Sequence, residues 1–182
     1  MFNKFKGLII TLSIVVALML IIGLSIVIGF NNAVKKQTTI ENNYAQISVA
    51  LEMRFEKLEL LLGALTGLEE HVETQLTKIT DARAKLSQGA DLNDISEEVE
   101  AGFRNIVVLI EDNPNSYIAV AAYNGYMAEI SATINLIMTT KIIYNDAVTD
   151  FNRFLRQFPR NLYLPALGFS QEKLYDPNLV SN

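Results

Sequence analysis

Apolar residues follow two patterns along this chain. From Leu8 to Phe30 they form one run of 23 uncharged positions, LIITLSIVVALMLIIGLSIVIGF. As a helix rising about 1.5 Å per residue, the run covers roughly 35 Å, enough to cross a hydrocarbon core near 30 Å. A cleaved signal peptide would carry an apolar region of only about 7 to 15 residues and a small-residue cleavage site. Here the run is longer and closes on Ile-Gly-Phe-Asn-Asn. These features predict an uncleaved anchor over residues 1–30, with a transmembrane helix at about 8–30. Later apolar runs are broken by charge or Asn, so a single pass is expected.

Beyond residue 36 the period changes. Ile40, Tyr44, Ile47, Leu51, Arg54, Leu58, Leu61, Leu65, Leu68, Val72, Gln75 and Ile79 alternate steps of four and three, and Ala82 and Leu86 keep the phase. This is a heptad a/d seam, which excludes strands with their period of two. The unbroken phase from Ile40 to Leu86 predicts one helix of roughly 70 Å, or two collinear helices. Gly63–Gly67 is where it could break: Thr66-Gly-Leu-Glu69 reads as a capping box, while Gly-x-x-x-Gly equally suits a kink or a close contact. The absence of Gly and Pro from Asn31–Thr39 predicts that the helix continues from the anchor into this seam.

Gly89 stops the seam in the loop Ser87–Asp94, and Asp94-Ile-Ser-Glu97 is expected to cap the next helix. Val99, Phe103, Ile106, Val107 and Ile110 form that helix's stripe, which ends at Glu111-Asp-Asn-Pro114. A last helix is predicted from about Ser116 to Gln157, on Val120, Tyr123, Met127, Ile130, Ile134, Ile137, Lys141, Tyr144, Val148, Phe151, Leu155 and Phe158. Pro159 stops it. Leu162, Leu164, Leu167 and Phe169 then predict that the tail, Arg160–Asn182, packs back. The expected fold is all-α without strands: an N-terminal transmembrane helix, then an antiparallel bundle of long helices with a packed tail over residues 31–182.

Charge sharpens this division. Residues 1–36 carry Lys4, Lys6, Lys35 and Lys36 and no acid, whereas residues 37–182 carry 11 basic and 20 acidic side chains. So acidic a body is a poor partner for nucleic acid, which needs clustered Lys and Arg. There is no Cys and one His, which removes disulfides, thiolate metal sites, cysteine nucleophiles and two-His metal motifs. No cofactor is expected. His71 reads as a surface or rim residue, because Leu68 stands three positions before it and no second His exists to complete a di-iron set. Glu52, Glu56 and Glu59, with Glu69, Glu70 and Glu73, read as a solvated face. Each seam holds one cation, Arg54 and Lys141. Burial demands a partner for each, a carboxylate or a carbonyl, or an escape to the rim; a register-setting polar layer accounts for both.

The C-terminal half resembles the LemA family, small bacterial membrane-anchored helical proteins. Lys141-Ile-Ile-Tyr144-Asn145-Asp-Ala147-Val148-Thr-Asp-Phe151-Asn152, with Phe158-Pro159 after it, is similar to the family's Arg-x-x-Tyr-Asn-x-Ala-Val-x-x-Tyr-Asn and following Phe-Pro. Leu167-Gly168-Phe169 resembles the family's Gly-Phe close, and Ser131-Ala132-Thr133 its Ser-Ala-Thr-Glu. Asn32-x-Val34, Ala45-Gln46, Leu51-x-x-Arg54, Gly67-x-x-x-His71 and Thr80-Asp81-Ala82-Arg83-Ala84 keep the same register, so the resemblance covers nearly the whole chain. Glu56-Lys-Leu-Glu-Leu-Leu-Leu62 stands where the family has Asp-Leu-Ile-Pro-Asn-Leu-Val. Lys141 replaces an Arg and Ile134 a Glu, which marks a divergent member. The resemblance implies one N-terminal membrane helix, a long-helix bundle and no established enzymatic activity. It marks Tyr144, Asn145, Asn152, Phe158 and Pro159 as motif positions.

The function expected is therefore a non-enzymatic scaffold or assembly protein at the bacterial cell membrane. The bilayer holds residues 8–30, and a second copy or another membrane protein is the partner. The alternative is a membrane-tethered sensor in which Arg54 and Lys141 clamp an anion. A carboxylate hydrolase resting on Glu52, Glu56 and Glu59 is the weakest reading. The α-amine, Lys4 and Lys6 outnumber Lys35 and Lys36 by one charge, favouring a cytoplasmic N-terminus. The resemblance implies the opposite, and the side stays open.

Overall fold

The computed structural model describes residues 2–65, 70–112 and 121–175, and within them all side chains except those of 2–4, 64–65, 70–72, 109–110, 112 and 121–123. The described residues are helical and include no strand: α1 (Phe2–Leu65), α2 (Glu70–Ser87), α3 (Leu92–Asp112), α4 (Ala121–Arg156), the short α5 (Arg160–Tyr163) and a 3-10 turn (Pro165–Leu167). α1 passes from the apolar run into the first seam without interruption, through the stretch where Pro and Asn of the family pattern are missing. It contains a stretch long and apolar enough to cross a membrane, none of it buried. Two compact units form. One comprises Met1–Ile40 and Ala147–Lys173, the other Glu41–Asp146 and Leu174–Asn182.

In the second unit, Ile47, Leu51, Arg54, Leu58 and Leu61 of α1 are buried as the seam requires, with Ile79, Ala82 and Leu86 of α2. Tyr44, placed in the same seam, stays exposed. The seam does not continue in a straight line. Arg83 of α2 donates to Glu59 of α1 at 2.6 Å and to Glu52 at 2.8 Å. Two collinear helices would hold residues 24 apart at roughly 36 Å, so α2 has turned back on α1. A heptad phase records which face is apolar, not which way the next helix points, and a hairpin buries both faces against each other. A Cβ added at Gly63, inside α1, would meet no described atom within 4 Å; Thr66–Glu69 lie outside the described residues.

α2 ends in a Schellman turn: Gly89 at φ +80 lets its own N–H reach Leu86 O and the Ala90 N–H reach Lys85 O, each at 3.1 Å. The cap of α3 is Asp91, not Asp94. Its Oδ1 accepts the Asn93 N–H at 2.7 Å, and the helix begins at Leu92 because Leu92 and Ile95 are both buried and extend the stripe by one turn. Asp94 lies in the first turn, where its charge suits the helix dipole. Lys85 and Glu98 join α2 to α3 at 2.6 Å. α4 runs antiparallel to α1: Asn43 donates to Ile143 O at 3.4 Å and Lys57 meets Glu129 at 2.9 Å. The predicted start of this last helix, Ser116–Val120, lies outside the described residues.

In the first unit, Ala33 and Ile40 of α1 are buried, as are Val148, Phe151, Phe154 and Leu155 of α4, and Lys36 pairs with Asp150. Phe158, the last seam position, is instead 80% exposed, because α4 ends two residues earlier, at Arg156. The chain then turns through α5 and the 3-10 turn, closed by Gly168 at φ +95 with Phe169 N–H donating to Leu164 O. Leu164 and Phe169 are buried, and Phe169 meets the Phe30 ring edge to face at 5.4 Å; Leu162 and Leu167 remain exposed. The Tyr163 hydroxyl donates to Ser25 O at 3.2 Å and lies where a Cβ on Gly29 would be 1.9 Å away. A Cβ there would displace the Tyr163 ring from this contact.

Candidate functional site

The two seam cations meet in one cluster of the second unit. Arg54 of α1 is fully buried, with Nη2 2.9 Å from Glu100 Oε1 of α3. That contact is ionic rather than a well-formed hydrogen bond, and among the described residues Arg54 Nε and Nη1 have no hydrogen-bond partner. The guanidinium stacks over the Phe103 ring at 5.2 Å. Lys141 of α4 is 5% exposed and donates to Ser96 Oγ at 2.8 Å. Neither a carboxylate nor a carbonyl receives it directly. A hydroxyl does, and the Tyr175 ring lies 4.6 Å from the ammonium. Tyr175 in turn donates its hydroxyl to Leu92 O at 2.6 Å and meets the Tyr144 ring edge to face, while Tyr144 faces Tyr44. Two buried cations thus share the field of one carboxylate.

Burial lowers the pKa of Lys141. The negative Glu100 partly restores it, and the positive Arg54 lowers it further. Arg54 is lowered by burial too, with Glu100 opposing. Burial raises Tyr175, and Asp91 adds to the effect. For Lys141 the folded pKa lies below the unfolded one, so the unfolded chain binds more protons in the window beneath about 10.5. Stability therefore rises with pH through that window, until tyrosine ionisation in the unfolded state reverses the slope above about pH 10. Thermal melts from pH 8 to 10 should show this rising limb in the wild type and a flattened one in Lys141→Met. An equal slope in both would remove Lys141 as its source.

Of the motif positions, Tyr144 joins this cluster, and the two asparagines do different work. Asn145 Nδ2 donates to Tyr175 O at 3.3 Å while its Oδ1 accepts the Tyr175 N–H at 2.8 Å. Within the first unit, Asn152 treats Glu172 in the same way, at 2.8 and 2.9 Å. A side-chain amide offers one donor and one acceptor like a peptide group, so each satisfies an extended residue that has no strand partner. Phe158 points to solvent, and Pro159 precedes α5.

Sequence reading missed Glu100, Ser96 and Tyr175. Ser96, Glu100 and Phe103 share one face of α3 at steps of four and three, but Asp94, Glu97 and Glu98 compete on the same helix and spacing does not choose among them. It missed the buried Thr133 and Thr140, whose hydroxyls return to the Ile130 and Ile137 carbonyls at 2.6 and 2.9 Å. Glu52 and Glu59, read as a solvated face, are partly covered and neutralised by Arg83. Among the described residues, no three His, Asp or Glu side chains converge as metal ligands. The side chain of His71 lies outside the description.

The family model described as the LemA family matches residues 43–180, a range that holds the whole cluster. No curated protein matches the chain significantly.

Proposed function

The chain belongs to the LemA family, and from that membership and the surface of its bundle we propose a membrane-anchored, non-enzymatic scaffold that self-associates. The observation that carries this reading is an apolar face left in solvent on two neighbouring helices. Val49, Met53 and Leu60 of α1 and Leu136 and Ile143 of α4 are exposed, while Leu51, Phe55, Leu58 and Leu61 of α1 and Ile137 of α4 are buried. α1 and α4 run side by side here, as Asn43–Ile143 and Lys57–Glu129 establish. Anchoring through Leu8–Phe30 confines copies to a plane and raises their effective concentration, so even a modest face suffices to assemble them. A second copy of the chain is the occupant.

Mass measurement of the full chain in mild detergent should give a concentration-dependent oligomer, and the double variant Val49→Ser, Met53→Ser should weaken it by at least about tenfold, or 1.4 kcal/mol, in dissociation constant. Monomers throughout, at concentrations above those in a cell, would overturn the proposal. A second reading, a sensor bundle, is favoured by the unpartnered Nε and Nη1 of Arg54. In that case sulfate or phosphate stabilises the wild type and leaves Arg54→Met unchanged.

A further inference from the structure

Charge and contact divide this chain differently from its linear order. By sequence, the unit formed by Met1–Ile40 and Ala147–Lys173 carries eight basic and two acidic residues, and the other unit seven basic and 18 acidic. Of the cations of the first unit, Lys35, Lys36 and Arg160 lie at the end of the apolar run, beside Asn32. There α1 and the turn after α4 enclose a groove of about 340 Å³, lined by Ile21, Leu24, Ile28 and Asn32 on one side and Pro159 and Arg160 on the other. A second groove, of about 270 Å³, shares Asn32 and continues along Lys35, Lys36 and Thr39 to Asp150, which pairs with Lys36 and leaves Lys35 as its cation without a recorded acid among the described residues.

We propose that this groove seats an anionic phospholipid of the surrounding membrane, its acyl chains along Ile21, Leu24 and Ile28 and its phosphate against Arg160 and Asn32. The inference rests on the reading of Leu8–Phe30 as a membrane span. Polarity along the groove follows the order of an amphiphile, apolar first and cationic last. Ile21 to Asn32 rises about 16 Å, close to half of a 30 Å hydrocarbon core. Arg160 is only partly exposed, and its recorded partners are uncharged, the Gln157 side-chain oxygen and the Phe154 ring at 4.2 Å. Its charge is therefore not cancelled by a carboxylate among the described residues. Tyr163 against Ser25 and Gly29, with Phe169 against Phe30, fixes the turn at this level of α1. The exposed Phe158 and Leu162 flank Pro159 and Arg160 in the chain and supply the apolar contacts that such a depth requires.

The chain has no Trp, so single Trp reporters are clean. Full-length protein carrying Leu162→Trp is reconstituted in mixed phosphatidylglycerol and phosphatidylcholine vesicles, with bromine on either lipid at equal mole fraction. Brominated phosphatidylglycerol should quench preferentially, reflecting an enrichment of about fivefold for one cationic contact. Arg160→Gln should abolish the preference and Arg160→Lys keep most of it. Equal quenching by the two lipids, a preference that survives Arg160→Gln, or its loss on adding free inorganic phosphate would overturn the lipid seat. Ile14→Trp, in the same vesicles, reports the span. Quenching there with none at position 162 would overturn the seat alone, and none at either position would overturn the membrane reading with it.

Discussion

Arg54→Ala lowers the stability of the bundle by about 3 kcal/mol or more, whereas Arg54→Met, which also leaves Glu100 without its cation but refills the volume, costs distinctly less. The two variants remove the same charge and differ in what they leave behind. Arg54 has no exposed surface, so Ala opens a cavity among Leu51, Phe55 and Leu58 as well as stripping Glu100 of its cation. Met fills most of that volume. It also ends the desolvation of a guanidinium with two unpartnered nitrogens. The loss falls at the lower end of the usual range for broken buried pairs, about 3–5 kcal/mol, because the Glu100 side chain keeps 35% of its surface in water. Urea titration of the full chain in mild detergent measures both. A second readout separates charge from packing. Arg54 depresses the Lys141 pKa, so Arg54→Met should also shrink the alkaline rise in stability that Lys141 produces. Equal destabilisation by Ala and Met would mean that the ion pair itself, not packing around it, holds the site.

Tyr175→Ala is expected to cost about 3–5 kcal/mol, the range for deleting a buried aromatic ring. This residue closes the cluster from outside the four long helices. It is 3% exposed, meets Tyr144 edge to face, lies against the Lys141 ammonium and reaches Leu92 O. Tyr175→Phe keeps the ring contacts and should cost only about 1–2 kcal/mol, the consequence of leaving the Leu92 carbonyl without the hydroxyl. Urea midpoints for the two variants give the split. A cost below about 1 kcal/mol for Tyr175→Ala would mean that Asn145, which grips the backbone of this residue, docks the tail without its ring.

The helices were legible because amphipathic periodicity is local. The seam from Ile47 to Leu61 is buried as its steps of four and three demand, Gly89 closes α2 in a left-handed turn that glycine adopts freely, and Pro159 stands just beyond the end of α4. Direction was not legible. The heptad phase runs through both α1 and α2 whether they are collinear or folded back, and only the reach of Arg83 to Glu52 and Glu59 shows the hairpin. Arg54 and Lys141 could be singled out as expensive, since any buried cation needs compensation. Their shared carboxylate could not, because α3 offers Asp94, Glu97, Glu98 and Glu100 within seven residues and sequence does not rank them. Tyr175 was invisible to periodicity. It lies in an extended segment with no repeat, and its place is set by two hydrogen bonds to a single Asn.

What the sequence by itself determined is the set of helices, their apolar faces, the uncharged run Leu8–Phe30 and the family pattern around Tyr144-Asn145. Each depends on residues within a few turns of one another. Tertiary structure alone decided which cations and acids belong together. Cut along the chain at residue 36, the charges give a small basic head and a long acidic body. The contacts instead join residues 147–173 to the first 40, because Leu164 and Phe169 are buried there and Asn152 secures Glu172. Coulomb interactions depend on distance in space. Four of that unit's eight basic residues, Arg153, Arg156, Arg160 and Lys173, thus lie more than a hundred residues along the chain from Lys35 and Lys36.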